Sequence, residues 1–200
     1  MKILAFAASS SSTSINRALV THAADRLLAA RPDAELELLD LRDYDMPVYS
    51  SDREKEGGIP EPAQRFFTKI GEADGLLISY AEHNGLYTAA FKNIFDWASR
   101  IEAKVYQGKP MAIMSASPGG GGGGSVLTTA LASAPYFSAE VVGSLSVPHF
   151  YKTFDLEAGA LQDPELAEAL QTAVAALAAR LPRAAHSTTS GVDNPHMSLS

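Results

Sequence analysis

Short apolar runs alternate with longer stretches in which apolar residues recur every three or four positions, and this alternation continues to about residue 181. The run Ile3 to Ala8 ends in small polar residues, and Leu19, Val20, Ala23 and Leu27 follow at helical spacing, which predicts a buried strand and then an amphipathic helix. In Ala34 to Leu39, Leu36 and Leu38 alternate with Glu35 and Glu37, the pattern of a strand less fully covered, at a sheet edge. Ala63, Phe66, Phe67 and Ile70, entered through Pro60 and Pro62, mark a second helix. Gly75 to Tyr80 reads as a third strand, and Phe91, Ile94, Ala98 and Ile101 as the stripe of a third helix. Met111 to Met114 is a fourth strand, and a Gly-rich turn leads from it to a helix around Val126 to Ala132. Val141 to Val147 is a fifth strand, and Leu166, Leu170, Val174, Leu177 and Leu181 form a last helix stopped by Pro182.

Repeated strand–helix units require a parallel sheet with helices on both faces, because right-handed crossovers place the helices there. The predicted class is therefore α/β, three layers with a five-stranded parallel sheet in the order 2-1-3-4-5. One domain is expected over residues 1–182. Residues 183–200, rich in Ser and Thr and without apolar periodicity, are expected to be a disordered tail.

Composition narrows the function. With 46% apolar and 20% charged residues in 200, the chain is an ordinary globular one that can bury a core without staples. The count of 16 Lys plus Arg against 23 Asp plus Glu, a net charge of −7, argues against nucleic acid or an anionic membrane surface as partner. No cysteine is present, which excludes disulfides, thiolate nucleophiles and Cys-ligated metals. The apolar stretch after Lys2 is too short for a secretory h-region and no other segment reaches spanning length, so a cytoplasmic location is expected.

In an open parallel sheet, ligands bind beyond the carboxyl ends of the strands, where the winding reverses. The loops after the first, third and fourth strands are each unusual. The first, Ser9-Ser10-Ser11-Ser12-Thr13-Ser14-Ile15-Asn16, places hydroxyls and free amides at a helix start, which suits a phosphate dianion. One N-cap would account for a single hydroxyl there, but not for so many. The second, Tyr80-Ala81-Glu82-His83-Asn84-Gly85-Leu86-Tyr87, suits a loop lying along a flat heterocycle. Neither Glu82-His83 nor the other histidines show metal-ligand spacing, so no metal is expected.

The third loop, Ser115-Ala116-Ser117-Pro118 followed by Gly119 to Gly124, formally contains Gly-x-Gly-x-x-Gly. Any six consecutive glycines would satisfy that pattern, and Glu140 begins the next strand where the ribose-binding acid should end it. A P-loop fails for want of a Lys before Ser125, and no Gly-x-Ser-x-Gly elbow offers a hydrolase nucleophile. What remains is a loop without side chains, against which a ligand meets bare amides.

These segments resemble the NADPH-dependent FMN reductase family, a flavodoxin-like group that includes quinone, azo-dye and chromate reductases. Ala8 to Asn16 stands where that family has Gly-Ser-x-Arg-x-x-Ser-x-Asn, its phosphate loop. Ala81 to Gly85 with Phe91-Lys92-Asn93-Ile94-Phe95-Asp96-Trp97 stands for Pro-Glu-Tyr-Asn-Gly and Leu-Lys-Asn-x-x-Asp-Trp, and Ser115 to Gly120 is similar to the loop at the pyrimidine side of the flavin. Ala8, Ser11, Ala81 and His83 replace the family's Gly, Arg, Pro and Tyr. Losing the Arg removes a charge-assisted contact of about 1.5–3 kcal/mol, so weaker FMN binding is expected.

The resemblance implies FMN as cofactor and NADPH or NADH as co-substrate, with hydride passed through the flavin to a quinone-like or other small electrophilic acceptor, or to free flavin. It implies Ser9, Ser11, Ser14, Ile15 and Asn16 around the phosphate. Ala81, Glu82, His83, Asn84, Gly85, Ser115, Ser117, Pro118, Gly119 and Gly120 would surround the isoalloxazine. No side chain is required as a catalytic acid or base, since the flavin carries the chemistry. The alternatives are a flavodoxin-type electron carrier and a flavin- or nucleotide-binding module without turnover. A homodimer or homotetramer is implied, and Phe91, Phe95 and Trp97 suit either a subunit boundary or internal packing.

Overall fold

A computed structural model describes residues 1–182, and the expected tail at 183–200 lies outside the described residues. The strands β1 (Lys2–Ala8), β2 (Glu35–Leu39), β3 (Gly75–Tyr80), β6 (Pro110–Ala116) and β7 (Glu140–Val147) form one sheet in the order β2-β1-β3-β6-β7, all parallel. This is the 2-1-3-4-5 order that the alternation predicts. β2 is an edge strand, and its partly exposed Leu38 reflects the Leu–Glu alternation read in the sequence.

Two helices, α1 (Ile15–Ala30) and α7 (Pro164–Arg180), cover one face, where Leu19, Val20, Ala23, Leu27, Leu170, Val174 and Leu177 pack on Ile3, Ala5 and Leu77. The other face carries α3 (Glu61–Glu72), α4 (Ala89–Ile101) and α5 (Gly124–Ser133), with Phe66, Ile70, Phe91 and Val126 packed on Leu4, Phe6 and Ile78. β3 is buried at every position, as its unbroken apolar run requires once both faces are covered.

Several small elements were not legible. A short helix, α2 (Ser51–Gly57), buries no residue and so leaves no apolar stripe to read. The antiparallel pairs β4 (Glu82–His83) with β5 (Leu86–Tyr87), and β8 (Phe154–Asp155) with β9 (Ala160–Leu161), are two residues per strand. A single turn, α6 (Phe150–Thr153), precedes β8. Phe91, Phe95 and Trp97 are all buried within the chain, which favours internal packing over an exposed subunit boundary. Among the described residues, no helix is long and apolar enough to cross a membrane.

Candidate functional site at the carboxyl rim of the sheet

Parallel register brings the three unusual loops together. Ala8 pairs with Tyr80, Tyr80 with Ser115, and Ser115 with Ser146, so the strands end level and their loops leave from one rim. Buried Asn16 ties that rim from beneath: its Oδ1 accepts from the Ser79 hydroxyl at 2.8 Å and the Ala116 N–H at 2.9 Å, while its Nδ2 donates to the Ala116 carbonyl at 3.2 Å. Both polar atoms of the Asn16 side chain are thereby engaged inside the fold, and what the residue offers a ligand is its backbone amide.

The serine loop divides its groups between itself and solvent. Ser9 Oγ accepts from the Ser11 N–H at 3.2 Å, Ser11 Oγ accepts from the Thr13 N–H at 3.3 Å, and the Ser14 N–H donates to the Ser11 carbonyl at 3.3 Å. Ser14 is the N-cap residue of the 16-residue α1, yet its hydroxyl makes no capping bond. The amides of Ser12, Ile15 and Asn16 meet no acceptor among the described residues. Free amides at the positive end of a helix, with the Ser14 hydroxyl beside them, are a fitting cradle for a phosphate.

Beside this loop, Asp40 accepts from both Arg17 and Arg42, the latter through its backbone N–H at 3.0 Å, its Nε at 3.1 Å and its Nη2 at 2.6 Å. Hydrogen bonds from Arg42, opposed by desolvation and aided by Arg17, hold the Asp40 carboxyl well below the usual carboxylate range. No spacing in the sequence signals this cluster, because only the pairing of β1 with β2 brings residue 17 to residue 40.

After β3 the chain makes a hairpin rather than an open loop. Asn84 at φ 53° and Gly85 at φ 81° form the two-residue turn, both in the left-handed region that a tight hairpin demands. The Glu82 carboxylate accepts from the Val126 N–H at 2.9 Å, so it caps α5 and joins the second loop to the third. His83 and Asn84 are exposed at the rim. Thr88, which the sequence reading passed over, caps α4 through the Phe91 N–H at 3.2 Å and donates to the Ala8 carbonyl at 2.9 Å. A Thr three residues before an apolar stripe was the available signal.

The glycine loop is a packed turn with an open crest. The Gly122 carbonyl accepts from Ser115 Oγ at 2.8 Å and Ser146 Oγ at 3.0 Å, and a Cβ on Gly122 would lie 2.2 Å from Ser146 Oγ. Gly122 and Gly123 are therefore dictated by packing, and Ser115 is spent beneath them. At the crest, a Cβ on Gly119 or Gly121 would meet nothing within 4 Å. The Gly119 carbonyl accepts from the His149 N–H at 2.9 Å and Ser117 Oγ at 3.1 Å, which fixes His149 next to the loop. Among the residues expected at the site, Ser11, Ser14, His83, Asn84, Ser117, Pro118, Gly119 and Gly120 reach solvent on this rim, whereas Ser9, Ala81 and Ser115 lie buried under it.

The segment from Lys92 to Trp97 acts from behind. Asn93 Oδ1 accepts from the Tyr49 N–H at 2.8 Å, its Nδ2 donates to the Pro47 carbonyl at 3.2 Å, and Trp97 Nε1 donates to the same carbonyl at 2.7 Å. These bonds pin residues 46–49, the chain leaving β2, along α4.

A family model for NADPH-dependent FMN reductases matches residues 1–152. The chain belongs to this family. Similar proteins include an NADPH:quinone oxidoreductase of Arabidopsis thaliana, 33% identical over 119 residues that cover 60% of this chain and 59% of that protein. An NAD(P)H-dependent FMN reductase of Pseudomonas aeruginosa is 34% identical over 119 residues, 60% of this chain and 61% of that protein. The chain thus spans about three fifths of the length of these curated relatives. Among solved structures, the FerB flavoenzyme NAD(P)H:(acceptor) oxidoreductase of Paracoccus denitrificans superposes with a TM-score of 0.67 at 24% identity, over 89% of this chain and 95% of that one. An NADH:FMN oxidoreductase, EMOB, in its apo form gives 0.66 at 19% identity over 90% of each. At these identities the likeness is one of fold.

Proposed function

We propose that this family member binds FMN at the carboxyl rim of its sheet and oxidises NADPH or NADH at the expense of a small electrophilic acceptor such as a quinone. The observation that carries this reading is the convergence of an unsatisfied helix N-terminus, an exposed hairpin tip and a side-chain-free crest on one level rim. The amides of Ser12, Ile15 and Asn16 with the hydroxyls of Ser11 and Ser14 would hold the phosphate. Residues His83 to Gly85 and Ser117 to Gly120 would border the ring, their exposed backbone supplying hydrogen bonds to its edge.

Bound FMN supplies a two-electron carrier that accepts hydride from a nicotinamide and passes it to the acceptor. The protein's share is orientation. Asn16 fixes α1 against β3 and β6, Glu82 fixes the hairpin against α5, and Gly122 seats the glycine loop on Ser115 and Ser146. No side chain is assigned as a proton donor.

The experiment is NAD(P)H oxidation followed by absorbance with and without FMN, using 1,4-benzoquinone as acceptor. Turnover that requires protein, FMN and quinone together is expected, and it separates an enzyme from a carrier that docks only to proteins. Absence of turnover with every combination of nicotinamide and flavin would end this reading.

A further inference from the structure

The serine loop contains no cation, yet two guanidiniums stand beside it. Arg17 borders the small cavity lined by Ser9, Ser11 and Ser14, and also the groove of about 490 Å³ lined by Ser12, Thr13 and Ser14. It therefore faces two cavities that the serine loop also lines, from its place in the first turn of α1. Arg42 borders a separate cavity with Ser10. Both pair with the single carboxylate of Asp40, so the cluster keeps a net charge of +1.

Donor capacity is also left over. Asp40 occupies one terminal nitrogen of Arg17, and Arg17 Nε and Nη2 have no acceptor among the described residues. Arg42 is more deeply committed, giving Asp40 its backbone N–H, Nε and Nη2. An Arg fork with one prong anchored on a carboxylate is held in place, and its remaining prongs suit a phosphate oxygen.

We infer that Arg17 is the cationic ligand of the flavin phosphate, positioned at the serine loop by Asp40, with Arg42 holding Asp40 in turn. The inference rests on the flavin reading above and goes beyond it by assigning the charge. Asp40 is thus a positioning residue, and the deficit expected from Ser11 is made good from α1 and the chain after β2.

The test compares dissociation constants of FMN and riboflavin, which differ only by the phosphate, in wild type and in Arg17→Gln and Arg42→Gln. Arg17→Gln should weaken FMN at least about tenfold and leave riboflavin unchanged. Arg42→Gln should give a smaller loss, also confined to FMN. A readout on the wild type guards against a misfolded variant: the Arg17 Nε–H resonance should shift on adding FMN and stay in place with riboflavin. An unchanged FMN to riboflavin ratio in Arg17→Gln, or an Arg17 resonance blind to FMN, overturns the assignment while the flavin reading stands. A wild type that binds neither flavin overturns both.

Discussion

The Ser79 hydroxyl donates to Asn16 Oδ1 at 2.8 Å in a fully buried site, and the same oxygen takes the Ala116 N–H at 2.9 Å. One side chain at the start of α1 thus reads the positions of two central strands at once. The serine loop cannot shift relative to the ends of β3 and β6 without breaking these bonds.

Asn16→Ala should therefore be costly, because it strips the Ser79 hydroxyl and the backbone N–H and C=O of Ala116 of a partner in the interior. A loss of about 2–4 kcal/mol is expected from buried unsatisfied groups. Asn16→Asp should do no better, since an acceptor would then face the Ala116 carbonyl. Urea unfolding measures both, and an unchanged midpoint for Asn16→Ala would show that the bonds contribute nothing.

The glycine loop should divide into structural and open positions. Gly122 sits at φ +61° with Ser146 Oγ 2.2 Å from a would-be Cβ, so Gly122→Ala should cost about 1–3 kcal/mol. Gly121→Ala, with nothing within 4 Å, should change stability by less than about 0.5 kcal/mol. Equal melting temperatures for the two variants would contradict this division.

Release of the segment after β2 should be visible by hydrogen exchange. In Asn93→Ala the Tyr49 amide loses its 2.8 Å acceptor, and its protection should fall by about tenfold or more while strand amides of β3 keep theirs. Retained protection at Tyr49 would mean that Trp97 alone holds the segment.

His22 and Asp40 are two of the groups that shape the acid limb of stability. Burial, aided by the nearby Arg26 and opposed by Asp25, lowers the pKa of His22, so the unfolded chain binds more protons there than the folded one. The folded state's advantage is present above the unfolded His value near 6.5 and is lost as pH falls below it. Asp40 is depressed by its arginines, so its contribution is present above about pH 4 and is lost as pH falls further toward its folded value. His22→Phe should flatten the decline that begins near pH 6.5, and Asp40→Asn the one that begins near pH 4. A wild-type profile unaltered in either variant would show that the residue changed there does not contribute to the decline.

The sheet was legible because a parallel sheet covered on both faces imprints each strand as an apolar run, as at Gly75 to Tyr80, and each helix as a stripe, as at Phe91 to Ile101. The rim was legible as composition: serines, then a polar aromatic loop, then glycines. What composition hides is the direction in which a side chain spends its hydrogen bonds. Asn16, Glu82 and Ser115 turn inward and hold the loops, and Arg17 with Asp40 meets only across the β1–β2 edge. Hairpins of two residues per strand and a helix without a buried face carry too little periodicity to register.

The most direct measurement is equilibrium dialysis of the protein against FMN, read at the flavin absorption bands. Saturable binding of one FMN per chain is expected, with a bound spectrum shifted from that of free flavin. Flavin that distributes equally across the membrane at every concentration would contradict it.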